Sequence, residues 1–113
     1  MTGFARKCFF LVTVIEMKKA GKIQLSKLDL SLGEEWHEKY KSKNGSDHIA
    51  GKYALAVLSY VLRNLKPSVV VELGAGIGTM TDMVINHPEF TPDKIICFED
   101  NTFCLEQLAV NLN

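Results

Sequence analysis

The sequence predicts an α/β protein in which parallel strands alternate with helices. Two short, apolar and β-branched runs, residues 69–73 and 94–99, have the composition of buried strands. A segment with helical spacing of apolar residues follows each run, and a glycine-rich turn, residues 74–78, joins the first strand to its helix. This strand–helix–strand–helix order gives parallel strands joined by right-handed crossovers, with helices covering the sheet.

Length and composition limit the class of protein. The 113 residues suffice for one domain, and 13 basic side chains balance 13 acidic ones. With 47% hydrophobic and 23% charged residues, the chain is not a disordered tail, a collagen-like protein or a disulfide scaffold. The balanced charge disfavours nucleic acid as a partner, although it leaves a local basic patch open. Three widely spaced cysteines, Cys8, Cys97 and Cys104, are typical of a reducing, cytoplasmic setting.

The first 30 residues carry the weakest pattern. Residues 8–15 form an apolar, β-rich run that predicts a buried strand, with a helix or a frayed leader as the alternative. The run is far shorter than the roughly 20 residues of a membrane span, and the absence of a cleavage site after it disfavours a signal peptide. Residues 23–30 partly alternate between apolar and polar side chains, a weak strand signal. We therefore assign residues 1–45 to an N-terminal extension ahead of a domain over residues 46–113.

A helix is predicted over residues 31–43. Ser31 and Glu34 fit a capping box, in which each side chain accepts a hydrogen bond from the other residue's backbone N–H. Asn44-Gly45 follows as the stop. Three apolar side chains recur at spacings of four along this helix: Leu32, Trp36 and Tyr40. Such a stripe predicts packing onto the neighbouring domain, and a lid over a substrate is the alternative interpretation.

Three further helices are predicted. The first covers residues 49–65, is capped by Ser46-Asp47, and has an apolar face made of Tyr53, Ala54, Val57, Leu58, Val61, Leu62 and Leu65. The second runs from Thr79 to about His87, with an inward face made of Met80, Met83 and Val84. The third is capped by Asn101, and its apolar stripe consists of Leu105, Leu108, Ala109 and Leu112.

The segment that carries chemistry is Glu72-Leu73-Gly74-Ala75-Gly76-Ile77-Gly78, followed by Glu99 at the end of the next strand. A glycine-rich turn between a strand and a helix lets the backbone approach a ligand and aims free N–H groups at it. A carboxylate at the tip of the adjacent strand can accept hydrogen bonds from both hydroxyls of a ribose. Together these features predict a site for a nucleoside cofactor.

The spacing of the glycines favours one cofactor over another. A dinucleotide fingerprint requires G-x-G-x-x-G, but the third position of that pattern is occupied by Thr79 and the sequence has G-x-G-x-G instead. Glu72, just ahead of the turn, would repel a pyrophosphate and attract an ammonium group. Both observations point away from NAD and toward S-adenosylmethionine.

These segments resemble the motifs of class I, Rossmann-like S-adenosylmethionine-dependent methyltransferases. Residues 70–79, VVELGAGIGT, look like the first motif of that family, and residues 95–101, IICFEDN, look like its ribose-binding second motif. The helix that leads through residues 64–67 into the first strand is similar as well. The resemblance covers residues 46–113 and implies that the chain is the N-terminal part of such a domain.

The resemblance also implies roles for single residues. Glu72 would contact the amino group of the cofactor, directly or through water, and Glu99 would hold the ribose hydroxyls. The backbones of four loop residues would line the methionine and ribose portions of the cofactor: Gly74, Ala75, Gly76 and Gly78. Asp100 stands where the family often has an apolar residue against the adenine. It would either hydrogen-bond the adenine or begin the helix.

The expected activity is methyl transfer to an unidentified acceptor, possibly a small-molecule or sugar hydroxyl. The alternatives are a non-catalytic module that keeps the cofactor fold and an NAD-dependent oxidoreductase. Because the family has a larger sheet and takes its acceptor-binding groups from later strands, we expect these residues alone to be an inactive fragment, completed by more chain or by association. No catalytic residue is assigned. The three histidines, His37, His48 and His87, lack metal-ligand spacing, so no metal is expected, and His48 is expected at the surface or near the site.

Overall fold

The computed structural model describes residues 23–113, and the strand predicted over residues 8–15 lies outside them. The described chain is a mixed α/β protein with a two-stranded parallel sheet and four α-helices. In chain order its elements are α1 (Lys27–Tyr40), a 3-10 turn (Ser46–His48), α2 (Lys52–Leu65), β1 (Val69–Leu73), α3 (Thr79–Ile85), β2 (Lys94–Phe98) and α4 (Thr102–Leu112). No helix within residues 23–113 is long and apolar enough to cross a membrane.

The two predicted strands are confirmed and they are parallel, but the prediction that they are buried holds for one face of the sheet only. They pair in register from Val69 opposite Lys94 to Leu73 opposite Phe98. One face of the sheet packs against the hydrophobic core through Val70 and Ile95. On the other face, three apolar side chains are about half exposed: Val69, Val71 and Phe98. The carboxyl ends of both strands lie side by side, which places the segments that follow them at one edge of the sheet.

Helix α1 begins earlier than the sequence predicted. Its N-cap is Ser26, whose hydroxyl accepts a hydrogen bond from the Asp29 N–H, while the Asp29 carboxylate accepts one from the Ser26 N–H. The predicted capping box at Ser31 and Glu34 is therefore wrong, and so is the weak strand over residues 23–30. Burial of the Asp29 carboxylate against Ser59 and Arg63 of α2 favours the earlier start, and local spacing does not record this long-range contact. The helix also ends at Tyr40 rather than residue 43.

Helix α2 begins at Lys52 after Gly51, three residues later than predicted. Ser46, which was predicted to cap this helix, is instead the first residue of the 3-10 turn, and its hydroxyl donates a hydrogen bond to the carbonyl of Lys41. The predicted apolar face is only partly correct, because Tyr53 and Leu65 are more than 60% exposed. The helix instead buries a face that includes polar Ser59 and Tyr60, which a purely hydrophobic count overlooks.

The core joins the helices to the sheet edge. The predicted stripe of α1 is confirmed as buried, and it belongs to one cluster made of Leu32, Trp36, Tyr40, Leu55, Leu62, Ile77, Met83 and Val84. Side chains on both sides of residue 45 thus share a single core. The two helices α1 and α2 cross closely at Gly33, where an added Cβ would lie 2.3 Å from the carbonyl oxygen of Lys52.

The two later helices are shorter or differently faced than predicted. Helix α3 ends at Ile85 instead of about His87, although Met83 and Val84 are buried as expected. In α4 the predicted stripe is half correct: Leu108 and Leu112 are half-buried, whereas Leu105 and Ala109 are exposed. The inward-facing pair lies against the glycine-rich turn, so α4 supports the candidate site, and Cys104 of the same helix packs against the main core.

Candidate functional site

The glycine-rich turn after β1 has the backbone that its glycines predict. Gly74, Gly76 and Gly78 have φ angles of 77°, 61° and 102°, in the left-handed region that side chains with a Cβ rarely adopt. The surroundings of Gly76 and Gly78 differ. A Cβ at Gly78 would lie 2.8 Å from a methyl carbon of Leu108, whereas a Cβ at Gly76 would meet nothing within 4 Å. The turn is therefore packed against α4 on one side and open at Gly76 on the other.

Most N–H groups of this turn are engaged within the chain. Those of Gly74 and Ala75 both donate to the carbonyl of Phe98, at 2.7 and 3.0 Å. The N–H of Gly76 donates to Oε1 of Glu99 at 2.6 Å. The sequence predicted that such groups point freely at a ligand, and the structure differs at these three positions. What the turn offers a ligand is close approach at Gly76 and an N–H that can exchange one acceptor for another.

Glu99 is the point at which the two predicted motifs meet. Its half-buried carboxylate accepts the Gly76 N–H on one oxygen and the Asn101 N–H, at 2.9 Å, on the other. Asn101 is the confirmed N-cap of α4, and its side chain accepts from the Cys104 N–H. Asp100, by contrast, is exposed. Two backbone donors thus fix the orientation of the Glu99 carboxylate.

Glu72 lies behind the turn rather than at its open side. Its carboxylate is 7% exposed and accepts a hydrogen bond from the hydroxyl of Thr81, on α3, at 2.7 Å. The thiol of Cys97, in the neighbouring strand, lies 3.8 Å from the same hydroxyl. Burial, together with the nearby Glu72 charge, raises the pKa of the Cys97 thiol, which is therefore protonated at neutral pH. Glu72 places a buried negative charge next to the site.

A cavity of about 100 Å³ lies between the turn and the segment that precedes α2. It is lined by Gly45, His48, Ile49, Ala50, Ala75, Gly76, Ile77, Thr79, Met80 and Cys104. Pockets that hold drug-sized ligands measure roughly 300–1,000 Å³, so this cavity can receive one end of such a ligand. His48 was predicted at the surface or near the site, and it is exposed and lines the cavity.

Both walls of the cavity are anchored. His37, on α1, hydrogen-bonds the carbonyl of Ala50 through Nδ1 at 3.1 Å, and Asn111, on α4, donates to the carbonyl of Ile77 at 2.9 Å. One polar group in the wall is unusual. The hydroxyl oxygen of Thr79 is buried and has no hydrogen-bond partner among the described residues. In the sequence, Thr79 only departs from a dinucleotide fingerprint, and no local pattern identifies it as a site residue.

Comparison of the chain with protein families, with curated proteins and with solved structures finds no match. The functional assignment is therefore argued from the residues and their geometry. Within residues 23–113, no group of three or more His, Cys, Asp or Glu side chains is placed to hold a metal ion.

A second polar cluster lies away from the turn and contains a serine, a histidine and an aspartate. Ser59 donates its hydroxyl to Asp29 at 2.7 Å, and its oxygen lies 2.7 Å from Nε2 of His87. Arg63 adds three donor contacts to the Asp29 carboxylate, the shortest 2.8 Å long. The serine and the aspartate are fully buried. These residue types also form catalytic triads, so the direction of their hydrogen bonds decides whether the cluster is catalytic or structural.

The order of the hydrogen bonds excludes nucleophilic catalysis. In a catalytic triad, the histidine accepts the serine proton and the aspartate holds the other ring nitrogen. Here Nδ1 of His87 faces the backbone N–H groups of Glu89 and Phe90, so Nε2 carries the proton and donates to Ser59. The Ser59 proton goes to Asp29 instead. The cluster is a structural link between α1, α2 and the end of α3.

This cluster predicts that the protein loses stability in two steps on acidification. Burial lowers the pKa of His87 and outweighs the nearby charges, of which Glu89 and Asp29 raise that pKa and Arg63 lowers it. The pKa of His87 is therefore lower in the folded than in the unfolded state. Burial alone would raise the pKa of Asp29, but hydrogen bonds from Arg63, Ser26 and Ser59 outweigh it and lower the pKa to about 2. For His87 the unfolded state binds more protons than the folded state between the folded pKa and about 6.5. For Asp29 it does so between about pH 2 and 3.8. In both ranges the free energy of unfolding falls as the pH falls.

Urea unfolding followed from pH 8 to pH 2 measures both steps. The loss that begins as the pH falls below about 6.5 is expected to disappear in His87→Gln, whose amide can still donate to Ser59, and to persist in His48→Gln, a change at an exposed site. The step below pH 4, worth roughly 2–3 kcal/mol, is expected to persist in both variants. A His87→Gln profile with the slope of the original protein above pH 5 would contradict the assignment.

Proposed function

We propose that the chain binds S-adenosylmethionine at the mouth formed by residues 74–78 and Glu99, as part of a Rossmann-like methyltransferase. The observation that carries the proposal is the 2.6 Å hydrogen bond between the Gly76 N–H and the Glu99 carboxylate. It joins the glycine-rich turn to the acid of the adjacent strand at the carboxyl ends of two parallel strands. Nucleoside ligands of open α/β sheets bind at that edge.

The residues present fit such a cofactor. The Glu99 carboxylate is oriented by two backbone N–H groups and can accept hydroxyl donors from a ribose. The open side of Gly76 lets a ligand approach the backbone closely. The buried Glu72 charge, behind the turn, favours a cationic ligand over a pyrophosphate. An NAD-type dinucleotide fits the first two points equally well and the last one less well, because it carries a pyrophosphate.

The chemistry itself requires little from these residues. When bound, S-adenosylmethionine supplies a sulfonium methyl group that is already activated for transfer to an O, N or C nucleophile. The residues of the site bind and orient the cofactor, and the rate gain from such positioning is large. We assign neither the acceptor nor a catalytic base. A cytoplasmic location fits the same proposal.

Calorimetric titration tests the binding proposal. S-adenosylhomocysteine and S-adenosylmethionine are expected to bind and NAD is not. Heat with NAD and none with either adenosyl ligand would overturn the proposal in favour of an oxidoreductase. Binding of the adenosyl ligands without turnover of labelled S-adenosylmethionine on catechol, sugar and amine acceptors is the expected result, because these residues alone are expected to be an inactive fragment. Robust multiple turnover would contradict that expectation.

Two adjacent carboxylates provide a matched comparison. Glu99→Ala is expected to weaken S-adenosylhomocysteine binding by at least about 100-fold, because it removes two charge-assisted hydrogen bonds to the ribose that contribute roughly 1.5–3 kcal/mol each. Asp100→Ala, at the exposed neighbouring position, is expected to change the affinity by less than about threefold. Circular dichroism of both variants controls for folding. Equal small effects would mean that the ribose-binding acid is misplaced.

A further inference from the structure

One face of the two-stranded sheet is apolar and exposed. Successive side chains of a strand point to opposite faces, and Val70 and Ile95 face the core, so the residues on either side of them face away from it. This outer face consists of five apolar side chains and one lysine: Val69, Val71, Leu73, Ile96, Phe98 and Lys94. Three of the apolar side chains are about half exposed. A contiguous apolar surface of this kind marks a contact with another segment or molecule.

Residues 8–15 have the composition of a segment that covers such a face. They precede the residues that the structure describes, and their sequence, CFFLVTVI, contains no charged side chain. Only Thr13 among them has a hydroxyl. Removing apolar side chains from water is favourable, so the run and the outer face each gain from contact with an apolar partner.

The two parts of the chain carry opposite net charges. Residues 1–22 have five basic side chains and one acidic one, whereas residues 23–113 have eight basic and twelve acidic side chains. The basic residues flank the apolar run on both sides: Arg6 and Lys7 precede it, and Lys18, Lys19 and Lys22 follow it. The neutral chain thus divides into a basic N-terminal segment and an acidic remainder, which attract each other at low ionic strength.

Strand β2 has an acidic residue near each of its ends. Asp93 directly precedes the strand and Asp100 follows it by two residues, and both are exposed. Neither forms an ion pair with another side chain of residues 23–113. An apolar run with cations at both ends therefore matches a strand with anions at both ends, whichever way the run points.

The start of α1 brings this segment within reach of the outer face. Asp29, in the first turn of α1, bonds Arg63 near the end of α2, and α2 leads directly into β1. The chain therefore enters α1 near the amino ends of the strands. Residues 16–22, when extended, span at most about 23–25 Å, roughly two helix diameters of about 10–12 Å each. This length suffices to pass from α1 to the opposite face of the sheet.

We propose that residues 8–15 pack against the outer face of the sheet of the same chain, with their basic flanks beside Asp93 and Asp100. The outer face is then an interaction surface whose occupant is the N-terminal segment. This goes beyond the proposed function, because it concerns the face of the sheet that lies away from the core and requires no cofactor.

Carbodiimide cross-linking of the full chain, followed by digestion and mass spectrometry, tests the charge contacts. The reagent joins a lysine to a carboxylate that touches it. Cross-links are expected from Lys7, Lys18 or Lys19 to Asp93 or Asp100, and not to Glu35, an exposed carboxylate on α1. A mixture of ¹⁵N-labelled and unlabelled chains separates cross-links within one copy from those between copies. Absence of the expected cross-links, or their formation only between copies, overturns the proposal, and the second result assigns the face to a dimer.

Maleimide labelling of Cys8 tests the apolar contact. Val71→Asp places a charge in the middle of the outer face and is expected to accelerate Cys8 labelling at least about tenfold, because the run is released. Val110→Asp, at an exposed apolar position of α4, is the matched control and is expected to leave the rate unchanged. Val71→Thr, which keeps the strand propensity, is expected to give a smaller increase. Circular dichroism checks the fold, and equal labelling rates in the original protein and the folded Val71 variants overturn the proposal.

Discussion

Asp29→Ala is expected to lower the free energy of unfolding by about 3–5 kcal/mol, because removal of one partner from a buried ion pair leaves the other uncompensated. Asp29 is fully buried and accepts from Arg63, Ser59 and the N–H of Ser26. Without it, α1 loses its N-cap partner and α2 keeps a largely buried guanidinium without a carboxylate. Since a domain of this size has only about 5–15 kcal/mol of stability, a large unfolded fraction is expected, and urea unfolding by circular dichroism measures it.

Two further variants distinguish the effect of removing this buried carboxylate from the effect of removing any negative charge. Asp29→Asn keeps the shape and some acceptor capacity but not the charge, so an intermediate loss is expected. Glu38→Ala removes an exposed carboxylate that pairs with Lys41 and Lys52. Exposed ion pairs contribute about 0–1 kcal/mol, so a small change is expected. Comparable losses for Asp29→Ala and Glu38→Ala would contradict the structural role of the cluster.

The strands and the turn between them could be predicted from local sequence. Five consecutive residues from Val69 and five from Lys94 form the strands, within one residue of the prediction. Strand propensity and glycine conformation are properties of a few neighbouring residues, so they are legible without the rest of the chain. The same holds for Asn101, whose capping side chain reaches an N–H only three residues away.

Contacts between distant segments could not be predicted. Two capping boxes compete at the start of α1, and the choice of Ser26 over Ser31 follows from Asp29 meeting Arg63 more than 30 residues later. Lys39, placed to pair with Glu35 along the helix, instead pairs with buried Asp82 at 3.1 Å. Periodicity records which side of a helix is apolar, but not which polar group finds a buried partner.

In the candidate site, too, local features could be predicted from the sequence and contacts between distant segments could not. The sequence identified the turn and Glu99 as neighbours, because parallel strands end at one edge. It did not identify that Glu99 accepts the Gly76 N–H, nor that residues 45–50 close a cavity over Thr79. Both depend on how α1, α2 and α4 pack around the turn. A glycine motif therefore predicts the conformation of its own turn, whereas the walls of the cavity beside it come from elements whose packing the motif does not encode.

Gly76→Asn is expected to weaken S-adenosylhomocysteine binding at least 100-fold while the chain remains folded. The φ of Gly76 is 61°, and asparagine tolerates this left-handed conformation better than other residues that carry a Cβ. An added Cβ meets nothing within 4 Å, so the side chain projects into the space where the ligand is proposed to lie. The cost to folding is expected to stay near 1 kcal/mol. Gly76→Val adds a β-branched side chain that this backbone disfavours, so it is expected to abolish binding and to lower stability as well.

Gly51→Asn is the matched control, since a Cβ there also meets open space and asparagine is a favourable N-cap for α2. It is expected to leave both binding and stability close to those of the original protein. Together the three variants separate occupied ligand space from backbone strain: asparagine at position 76 tests the first and valine adds the second. Unchanged affinity in Gly76→Asn, with the fold intact by circular dichroism, would mean that the ligand does not approach the turn at Gly76, because no bound adenosyl group could share that space with the new side chain.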